Sequence, residues 1–503
     1  MMNNYPKTAL CIIPLFISST LFAGEPVCSD SAAEVSVQVD TSKTIRAHAP
    51  TALFGFNVPW YDFQTSYYVN KKTYSDLVSL LQPFKGAAYR YPGGTPSNTF
   101  EWRKAIGKVE TRPSMHHDFG QYAKPIFGVD EFIKFVKDVD GSALWTVNLA
   151  GPYKGVWSQQ KIASEVVALI NYISSPMQFG CIGGSGCRIT ALELGNELDF
   201  GSNSYTAEHY ISLAEKVIAA TSNMSEITWI ANGRTAPWNI NSGYRVYNRQ
   251  LAEKLANKVK GIAIHPYYDG MDVPAVYNYV KQYGDTWRSY RSDGAMYITE
   301  HARWPDDNRF GAWSDNWYQT TSLGGAISVS DFILTSMPNP AVEMANMHAL
   351  SAIGPWKFIR LDKNTATVYP SALYWGMRVL REAYLDDVVQ SILIQPKEIK
   401  YSGGYALNVV AMSNGDDTEA SLLGVNRNAK PYKLNIEWLA SARSAGTSTF
   451  RWVTSGKLSD DNSDIAKTKV KIKTSTENID SEHYVTSVCI PAYSVFSFVE
   501  QKI

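Results

Sequence analysis

The chain has 503 residues, of which 45% are hydrophobic and 13% aromatic, enough for a large core in two or three domains or in a barrel that takes up most of the length. Its 47 Lys and Arg residues balance 47 Asp and Glu residues, so charge gives no argument for a nucleic-acid or anionic-membrane partner. The 14 Trp and 30 Tyr residues favour a carbohydrate ligand, since exposed aromatic rings stack on sugars, although large cores use such rings too.

The first 23 residues have the pattern of an export signal. Lys7 gives a positive start, residues 9–22 are mostly apolar, and Ala23 is a suitable last residue before cleavage. The apolar stretch is short for a membrane-spanning helix, and no later segment resembles one. We therefore expect a secreted or periplasmic chain without a membrane span, with an uncleaved anchor as the alternative.

Four cysteines follow this segment: Cys28, Cys181, Cys187 and Cys489. An even number in an exported protein favours disulfides, and four cysteines allow three connectivities. Cys181 and Cys187 enclose a small glycine-rich loop that could close on itself, which would leave Cys28 to pair with Cys489. A zinc site is the weaker alternative, because the spacing does not fit and no histidine lies beside it.

From residue 51 to about 350, short β-branched or aromatic runs alternate with stretches of helical periodicity. The segment 161–173, for example, places Ile162, Val166, Leu169 and Ile173 on one face, as a helix packed on a sheet does. This alternation predicts a closed (β/α)8 TIM barrel rather than an open sheet. The predicted strands are 53–57, 87–91, 144–149, 189–194, 227–231, 261–265, 296–299 and 342–347, and the predicted helices are 130–139, 161–173, 206–221, 247–259 and 322–335.

After residue 380 the pattern changes to short alternating runs separated by Ser, Asn, Gly and Asp, which is typical of an antiparallel β-sandwich. The segment 35–39 alternates in the same way and is expected to pair with it. The predicted strands here are 391–394, 406–412, 432–438, 449–452, 469–472 and 490–499. The predicted organisation is a signal (1–23), an N-terminal segment that joins the sandwich (24–50), an α/β barrel (51–382) and an all-β sandwich (383–503).

Two predicted barrel strands end on a glutamate. Residues 192–197 read Leu-Glu-Leu-Gly-Asn-Glu and residues 297–301 read Tyr-Ile-Thr-Glu-His, so Glu197 and Glu300 are placed at strand ends. The carboxyl ends of barrel strands meet at one rim, and glycoside hydrolysis needs two carboxyl groups that face each other. Glu193 lies within the fourth strand and is expected to be structural, for instance as a partner of Arg90.

Other side chains at this rim fit a sugar site. Arg90 precedes a Pro-Gly-Gly turn and offers a rigid fork of donors. Tyr267 lies near the seventh strand, where its hydroxyl would orient a carboxylate and keep it ionised. Weaker candidates for sugar contacts are Asn57, Trp60, Trp145 and Asn148, whereas Tyr268 is expected to pack. The adjacent His116 and His117 favour a solvated loop over a metal site, and we predict neither a metal nor a cofactor.

The ordered set Arg90-Tyr91-Pro92-Gly93-Gly94, Gly195-Asn196-Glu197, His265-Pro266-Tyr267-Tyr268 and Thr299-Glu300 resembles the clan A retaining glycoside hydrolases, nearest to the family 51 α-L-arabinofuranosidases. Shorter likenesses at 101–103, 112–113, 127–132, 344–346 and 425–428 extend it over most of the chain. The resemblance implies double displacement, with Glu197 as general acid/base and Glu300 as nucleophile, about 5 Å apart. It also implies that Asn196 binds the hydroxyl beside the reacting carbon, that Tyr267 supports Glu300 and that Arg90 braces the carboxylates.

Two positions depart from the arabinofuranosidase pattern. Those enzymes place a glutamate shortly after the first-strand glycine, where this chain has Asn57, and an asparagine after Pro-Gly-Gly, where it has Thr95. A threonine after the double glycine instead resembles the heparanase and β-glucuronidase relatives, which favour uronic-acid substrates. His301, Arg303 and Trp304 follow the nucleophile and are further specificity candidates. We expect exo action on α-L-arabinofuranosides, with another pyranoside, a uronate-containing polysaccharide or a non-catalytic carbohydrate-binding role as alternatives.

Overall fold

A computed structural model describes residues 26, 28–29, 32–117, 120–174, 188–200, 204–224, 227–234, 242–269, 273–305, 312–351, 354–395, 400–401, 404–416, 418–439, 446–479 and 485–502. The predicted signal segment 1–23 and the pair Cys181 and Cys187 lie outside these residues. Among the described residues, no helix is both long and apolar enough to cross a membrane.

Regular structure begins with a long strand and continues as alternating strands and helices. In chain order, with short turns left unlabelled, these are β1 (Ala33–Arg46), β2 (Gly55–Asn57), α1 (Lys71–Leu81), β3 (Ala88–Tyr91), α2 (Val129–Asp138), β4 (Ser142–Val147), α3 (Gln159–Ile173), β5 (Ile189–Leu194), α4 (Ala207–Ala220), β6 (Trp229–Asn232), α5 (Ser242–Leu255), β7 (Gly261–Ile264), α6 (Val273–Tyr290), β8 (Ala295–Trp304), α7 (Leu323–Ser336), β9 (Val342–Met347) and α8 (Ala372–Arg381).

Strands β2 to β9 close into a barrel. Each pairs in parallel with the next, and β9 returns to β2 through Asn346 opposite Gly55. The predicted (β/α)8 barrel is therefore confirmed, with every predicted strand within a few residues of its place. The first is shorter than expected because 51–54 form a 3₁₀ turn. Helices α1, α6 and α8 were absent from the prediction.

Serine and threonine caps begin several of the barrel helices. Ser158 Oγ accepts from the Lys161 N–H at 3.1 Å, and Thr206 Oγ1 accepts from the His209 N–H at 3.2 Å. Such caps satisfy N–H groups that the first helical turn leaves unpaired. The apolar faces of these helices, including the predicted face of α3, are buried in one large core with the outer sides of the strands. This packing holds the eight strand ends in fixed positions.

The second sheet contains nine strands. After α8 come β10 (Asp387–Gln395), β11 (Leu407–Ser413), β12 (Glu419–Asn426), β13 (Tyr432–Leu439), β14 (Gly446–Val453), β15 (Lys473–Ile479), β16 (Val485–Ile490) and β17 (Ser494–Lys502). The strand order is β15-β14-β17-β12-β11-β10-β1-β13-β16. Only β1 and β13 pair in parallel. The predicted N-terminal strand is thus confirmed, in the interior of the sheet.

Side chains from both ends of this sheet share one apolar core, as in a sandwich. Val37 of β1 and Leu434 of β13 belong to the same cluster as Phe450 of β14 and Phe496 of β17. The predicted strand 469–472 is wrong: this segment forms turns in which Val470 exchanges backbone hydrogen bonds with the Asn462 side chain, and β15 starts only at Lys473. Strands β12, β15 and β16 were not among the predicted strands.

Two long-range contacts tie the parts of the chain together. Cys28 and Cys489 form a disulfide, as predicted, which joins the segment before β1 to β16. Between barrel and sandwich, Arg427 Nη1 donates to Asp331 Oδ2 at 2.6 Å, and Asn408 Nδ2 donates to Asp331 Oδ1 at 2.7 Å. Both side chains of the ion pair are 0% exposed. A fully buried pair therefore lies where α7 packs on the sandwich.

Candidate active site

The barrel interior is built in two layers that follow the period of two along each strand. The first layer is an apolar cluster: Ala88, Leu144, Ala191, Ile230, Ala263, Ala295, Tyr297 and Met344. Two residues further toward the carboxyl ends, the inward positions are polar and buried: Asn57, Arg90, Thr146, Glu193, Asn232, His265, Thr299 and Asn346. The apolar layer closes the barrel from below, and the polar layer forms the floor of the rim.

Arg90 is the centre of this polar layer. Its Nε donates to Glu193 Oε2 at 2.6 Å, its Nη1 to Glu300 Oε1 at 2.7 Å and its Nη2 to Asn196 Oδ1 at 2.7 Å. The side chain is 0% exposed. All three guanidinium nitrogens therefore have partners, and the fork fixes the positions of two carboxylates and the Asn196 amide.

Glu193 has the structural position predicted for it. Besides Arg90, it accepts from Thr146 Oγ1 at 2.9 Å, Asn232 Nδ2 at 3.1 Å and Thr299 Oγ1 at 2.9 Å. These four bonds fill the acceptor sites of a carboxylate. Burial alone would raise the pKa of Glu193, but the charges of Arg90 and His265 and the hydrogen bonds lower it to about 2. The group is ionised and has no capacity left for a ligand.

Glu300 is held by both of its oxygens. Arg90 donates to Oε1, and the Tyr267 hydroxyl donates to Oε2 at 2.7 Å. Burial would raise the pKa of Glu300, but the charges of His265, of protonated His348 and of Arg90, together with the Tyr267 hydrogen bond, hold it below its usual range. A Cβ on Gly94 would come within 2.5 Å of Glu300 Oε1, so the Pro-Gly-Gly turn needs glycine at this place. The result is a fixed, charged carboxylate at the rim.

Glu197 is presented by a tight turn after β5. Gly195 has φ +82° and Glu197 itself has φ +45°, a left-handed conformation that is strained for a glutamate and typical of functional positions. The Glu197 N–H donates to Asn232 Oδ1 at 2.7 Å. Asn98 braces the residue before it, since it accepts from the Asn196 N–H at 3.1 Å and donates to the Asn196 carbonyl at 2.6 Å. The Glu197 side chain is 19% exposed, against 6% for Glu300.

His265 connects Glu197 to the polar floor, and its proton positions follow from its partners. The Thr299 hydroxyl donates its proton to Glu193, so Thr299 Oγ1 accepts from His265 Nε2 at 2.9 Å. The other nitrogen, Nδ1, lies 2.8 Å from Glu197 Oε1. Burial would lower the pKa of His265, but Glu300, Glu193 and Glu197 raise it to about 10. One proton is thereby held between His265 and Glu197 at neutral pH.

Two glutamates and one histidine thus converge at the rim. One donor atom each from Glu197, His265 and Glu300 lies within 4.8 Å of the others. Such a set could hold a metal ion, but both His265 nitrogens and both Glu300 oxygens already have hydrogen-bond partners. The arrangement suits proton donation by one carboxyl group and attack by the other.

Of the predicted site residues, Arg90, Asn196, Glu197, Tyr267 and Glu300 come together. Three others lie around this group without a described link to the two carboxylates. Asn57 Nδ2 donates to the Thr299 carbonyl at 3.1 Å, and Asn148 orders its own loop through the Gly151 and Ala150 backbones. Trp60 is fully buried beside Phe100 and His117. Their sugar contacts stay predictions.

The residues after Glu300 separate to two sides because β8 changes register against β9 between Ile298 and His301. His301 points outward, where it stacks on Phe332 of α7 and bonds to the Tyr268 hydroxyl. A Cβ on Gly324 of α7 would come within 2.5 Å of Arg303 Nη1, so that guanidinium also lies outside the barrel. Trp304 faces the rim, with its ring 5.5 Å from that of Tyr267.

Sequence reasoning missed several members of the site: His265 as the partner of Glu197, Thr299, Asn98, Asn232, His348 and Trp356. His348 Nδ1 lies 3.7 Å from Glu300 Oε2, and the Trp356 ring lies 5.0 Å from that of His348. Half of these could have been found from the period of two, because Asn232, His265 and Thr299 each stand two residues after an inward apolar residue. His348 and Trp356 lie on the loop after β9 and carry no such signal.

Comparison with known proteins agrees with this geometry. Residues 80–283 match the family model of the alpha-L-arabinofuranosidase 1 domain, a range that includes Arg90, Glu197 and Tyr267 but not Glu300. A search of curated proteins finds no match. The matching family confirms the predicted resemblance and the predicted enzyme class, a glycoside hydrolase.

Solved structures extend the likeness to nearly the whole chain. An α-L-arabinofuranosidase from Thermotoga maritima in complex with arabinose has a TM-score of 0.73 at 16% identity, over 93% of this chain and 100% of that one. A family 51 α-L-arabinofuranosidase from Bifidobacterium longum has 0.76 at 16%, over 94% and 100%. A family 44 xyloglucanase from Paenibacillus polymyxa has 0.60 at 10%, over 94% and 100%. At these identities the likeness concerns the fold, the barrel with its sandwich.

Proposed function

We propose that this glycoside hydrolase is an exported, retaining, exo-acting enzyme that cleaves α-L-arabinofuranosides by double displacement. The observation that carries the mechanism is the approach of Glu197 and Glu300, whose oxygens lie within 4.8 Å of each other. Retaining enzymes hold their two carboxyl groups about 5 Å apart, whereas inverting enzymes leave room for a water molecule between them.

Glu300 is the nucleophile in this proposal. Attack on the anomeric carbon needs a carboxylate that is charged and held in place, and Arg90 and Tyr267 supply both conditions. Attack forms a bond between a Glu300 oxygen and the sugar and breaks the bond to the leaving oxygen. The Tyr267 hydroxyl donates a hydrogen bond to Oε2, and this bond can adjust as the carboxylate loses its charge on forming the ester.

Glu197 is the general acid/base. The proton held between His265 Nδ1 and Glu197 Oε1 passes from Glu197 to the leaving oxygen as the first bond breaks. The resulting carboxylate then takes a proton from the water that attacks the glycosyl-enzyme. His265 can resupply or share this proton because Thr299 fixes its other nitrogen. The opposite surroundings of the two glutamates separate acid from nucleophile.

The arabinofuranosyl group is supported by the matching family and by the arabinose complex among the similar structures. Asn196 Oδ1 is occupied by Arg90, which leaves the Asn196 amino group for the sugar hydroxyl beside the reacting carbon. Exo action rests on the same likeness. Asn57 and Thr95 replace residues that contact arabinose in the family pattern, so a uronate or another pyranoside is the alternative glycone.

Export is supported by the Cys28–Cys489 disulfide, since such bonds persist in oxidising compartments. Expression of the full chain with the segment 1–23 intact, followed by N-terminal sequencing of material outside the cytoplasm, tests it. Cleavage after Ala23 is the expected result, and a chain retained in the cytoplasm with an intact N-terminus would contradict it.

The reaction is tested with 4-nitrophenyl glycosides and proton NMR. We expect 4-nitrophenyl α-L-arabinofuranoside to be hydrolysed faster than the corresponding xyloside, glucoside, galactoside and glucuronide, and the first product to have the α configuration. Initial formation of the β anomer would overturn the retaining mechanism. Intact glycosides throughout the panel, with measurable sugar binding, would instead indicate a carbohydrate-binding protein.

A further inference from the structure

His348 occupies a fixed place beside Glu300 that the roles above do not use. It follows the last residue of β9, and its N–H donates to the His301 carbonyl of β8 at 2.9 Å. The backbone is thereby anchored to the strand that carries Glu300. The imidazole reaches over the rim, with its ring centre 5.0 Å from that of Trp356 and 6.1 Å from that of Tyr267.

The two ring nitrogens of His348 have different surroundings. Nδ1 is buried, lies 3.7 Å from Glu300 Oε2 and has no hydrogen-bond partner among the described residues. The side chain as a whole is 16% exposed, so its open edge is the one that carries Nε2. A buried polar atom without a hydrogen-bond partner costs about 1–3 kcal/mol, so the position of Nδ1 needs a cause, and the nearby Glu300 carboxylate supplies one.

The tautomer follows from the neighbouring charge. A lone pair on Nδ1 would face the negative Oε2 of Glu300, so the proton belongs on Nδ1 and the lone pair on Nε2. Burial lowers the pKa of His348, with Arg90 and His265 acting in the same direction against Glu300 and Glu197, and the ring is neutral at pH 7. Nε2 is therefore a hydrogen-bond acceptor at the rim of the barrel, beside Glu300.

Among the described residues, the cations near this acceptor have other roles, and this includes His265, which bonds to Glu197 and Thr299. Each guanidinium nitrogen of Arg90 is bonded to Glu193, Glu300 or Asn196. The Arg303 guanidinium lies against α7, outside the barrel. A sugar carboxylate placed at His348 would thus meet an acceptor nitrogen and the charge of Glu300, whereas a sugar hydroxyl could donate to Nε2.

We propose that His348 is a specificity-determining residue that selects an uncharged glycone, because its Nε2 accepts a hydrogen bond from a hydroxyl of the sugar lying over Glu300. The inference rests on the proposed glycosidase activity and deepens it, since it decides between the neutral sugar and the uronate. A site that bonds a hydroxyl discriminates strongly against substrates that cannot supply one. Trp356 and Tyr267 keep the imidazole in the orientation that this contact needs.

The test compares three variants on matched substrates. His348→Phe keeps a flat ring without an acceptor, His348→Gln keeps an acceptor, and His209→Phe replaces an exposed histidine on α4 as the control. With the best neutral 4-nitrophenyl glycoside, we expect His348→Phe to lower kcat/KM about 10- to 100-fold. His348→Gln should recover most of this loss, and the control should equal the wild type. Circular dichroism and Tm confirm folding.

Deoxy substrates identify the hydroxyl. One monodeoxy analogue of that glycoside should be a poor substrate for the wild type, and His348→Phe should cost it no further activity, because the same hydrogen bond is already missing. Losses that multiply for every analogue would overturn the contact. So would a wild-type preference for the 4-nitrophenyl glucuronide over the glucoside, or full activity of His348→Phe.

Failure of the glycosidase proposal is recognised separately. If the wild type cleaves none of the panel, binding of L-arabinose, D-glucose and D-glucuronate is measured by saturation-transfer NMR. Tighter binding of the neutral sugars that His348→Phe removes would still support the role of His348. Tighter binding of glucuronate, or binding that the variant leaves unchanged, would overturn it.

Discussion

Arg90 and Arg427 are both fully buried and both paired with a carboxylate, but only Arg90 belongs to the candidate active site. Arg427 bonds to Asp331 between barrel and sandwich, where the carboxylate is 0% exposed. Arg90 bonds to Glu193, which is equally buried, and to Glu300, which reaches the rim. Burial and charge are the same in the two regions. The difference is whether the network ends at an opening.

This comparison shows how the barrel holds a charged carboxylate at its rim. Glu193 accepts four hydrogen bonds, one of them from Arg90, and is the anchor of this network. Arg90 therefore has a second carboxylate partner besides Glu300. At the domain junction, the described partners of Asp331 are Arg427 and Asn408, and both contacts lie in the interior. A buried polar network that runs from a fully hydrogen-bonded carboxylate to a partly exposed one is therefore a candidate reaction centre.

The largest effect is expected from Glu300→Gly, which removes the open end of the Arg90 network. Turnover of 4-nitrophenyl α-L-arabinofuranoside should fall about 10⁴-fold or more, because no group remains to form the glycosyl-enzyme. Azide should restore part of the activity and give a glycosyl azide of inverted configuration, which also shows that the variant is folded. Activity near that of the wild type would remove Glu300 from the nucleophile role.

Asp331→Asn tests the closed network. It removes the charge of the buried carboxylate that bonds to Arg427, and we expect the free energy of unfolding to fall by about 3–5 kcal/mol. The double variant Asp331→Leu with Arg427→Met should be close to the wild type, since both charges are removed together. Urea unfolding measures this. The kcat of folded Asp331→Asn should be unchanged, and a changed kcat would break the distinction between the two regions.

The acid stability of the protein should depend on the anchor. The pKa of Glu193 is lowered to about 2, so its contribution to stability is present above its unfolded value near 4.5 and is lost as the pH falls toward 2. The shift corresponds to about 3 kcal/mol. Glu193→Gln should be less stable at pH 7 and should lose less stability between pH 5 and pH 2. Equal slopes for variant and wild type would show that Glu193 is not this anchor.

The smallest effect is expected from His265→Gln, which removes the proton partner of Glu197 and one of the charges that lower the pKa of Glu300. The pKa of His265 is raised to about 10, so the shared proton persists well above neutral pH in the wild type. Without the imidazole, the alkaline limb of kcat/KM should move down by at least about one pH unit, with a loss of about 10- to 100-fold in kcat. The acidic limb, which reports Glu300, should move up, because the His265 charge no longer lowers the pKa of Glu300. Parallel movement of both limbs would contradict the assignment.

Sequence reasoning was sufficient for the parts of the fold that repeat. The eight barrel strands, the helices α2 to α5 and α7, and the strand β1 follow from hydrophobic period alone. Helix α6 was missed, because Pro274 and Gly284 weaken its pattern. The segment 469–472 misled, because the buried Val470 belongs to a turn held by a distant asparagine rather than to a ladder.

The site residues likewise divide into those that the sequence predicts and those that it does not. Glu197, Glu300, Arg90 and Tyr267 stand at strand ends, and the barrel topology brings strand ends together. His301 was placed with them from its neighbour in sequence, but the register change in β8 turns it outward. His348 and Asn98 come from loops, whose paths depend on tertiary contacts that no local pattern encodes. Their roles became visible only from distances.

The position of β1 has a consequence for how the protein is made. This strand leaves the ribosome before the entire barrel, yet its neighbours in the sheet, β10 and β13, follow more than 300 residues later along the chain. Strand β1 must therefore stay without these partners until the sandwich segments have been synthesised, with its backbone hydrogen-bonding groups and valines exposed in the meantime. We infer that assembly of the sandwich is a late event in biogenesis. Chaperones that bind the extended N-terminal segment should therefore raise the yield of folded protein more than chaperones that bind the barrel.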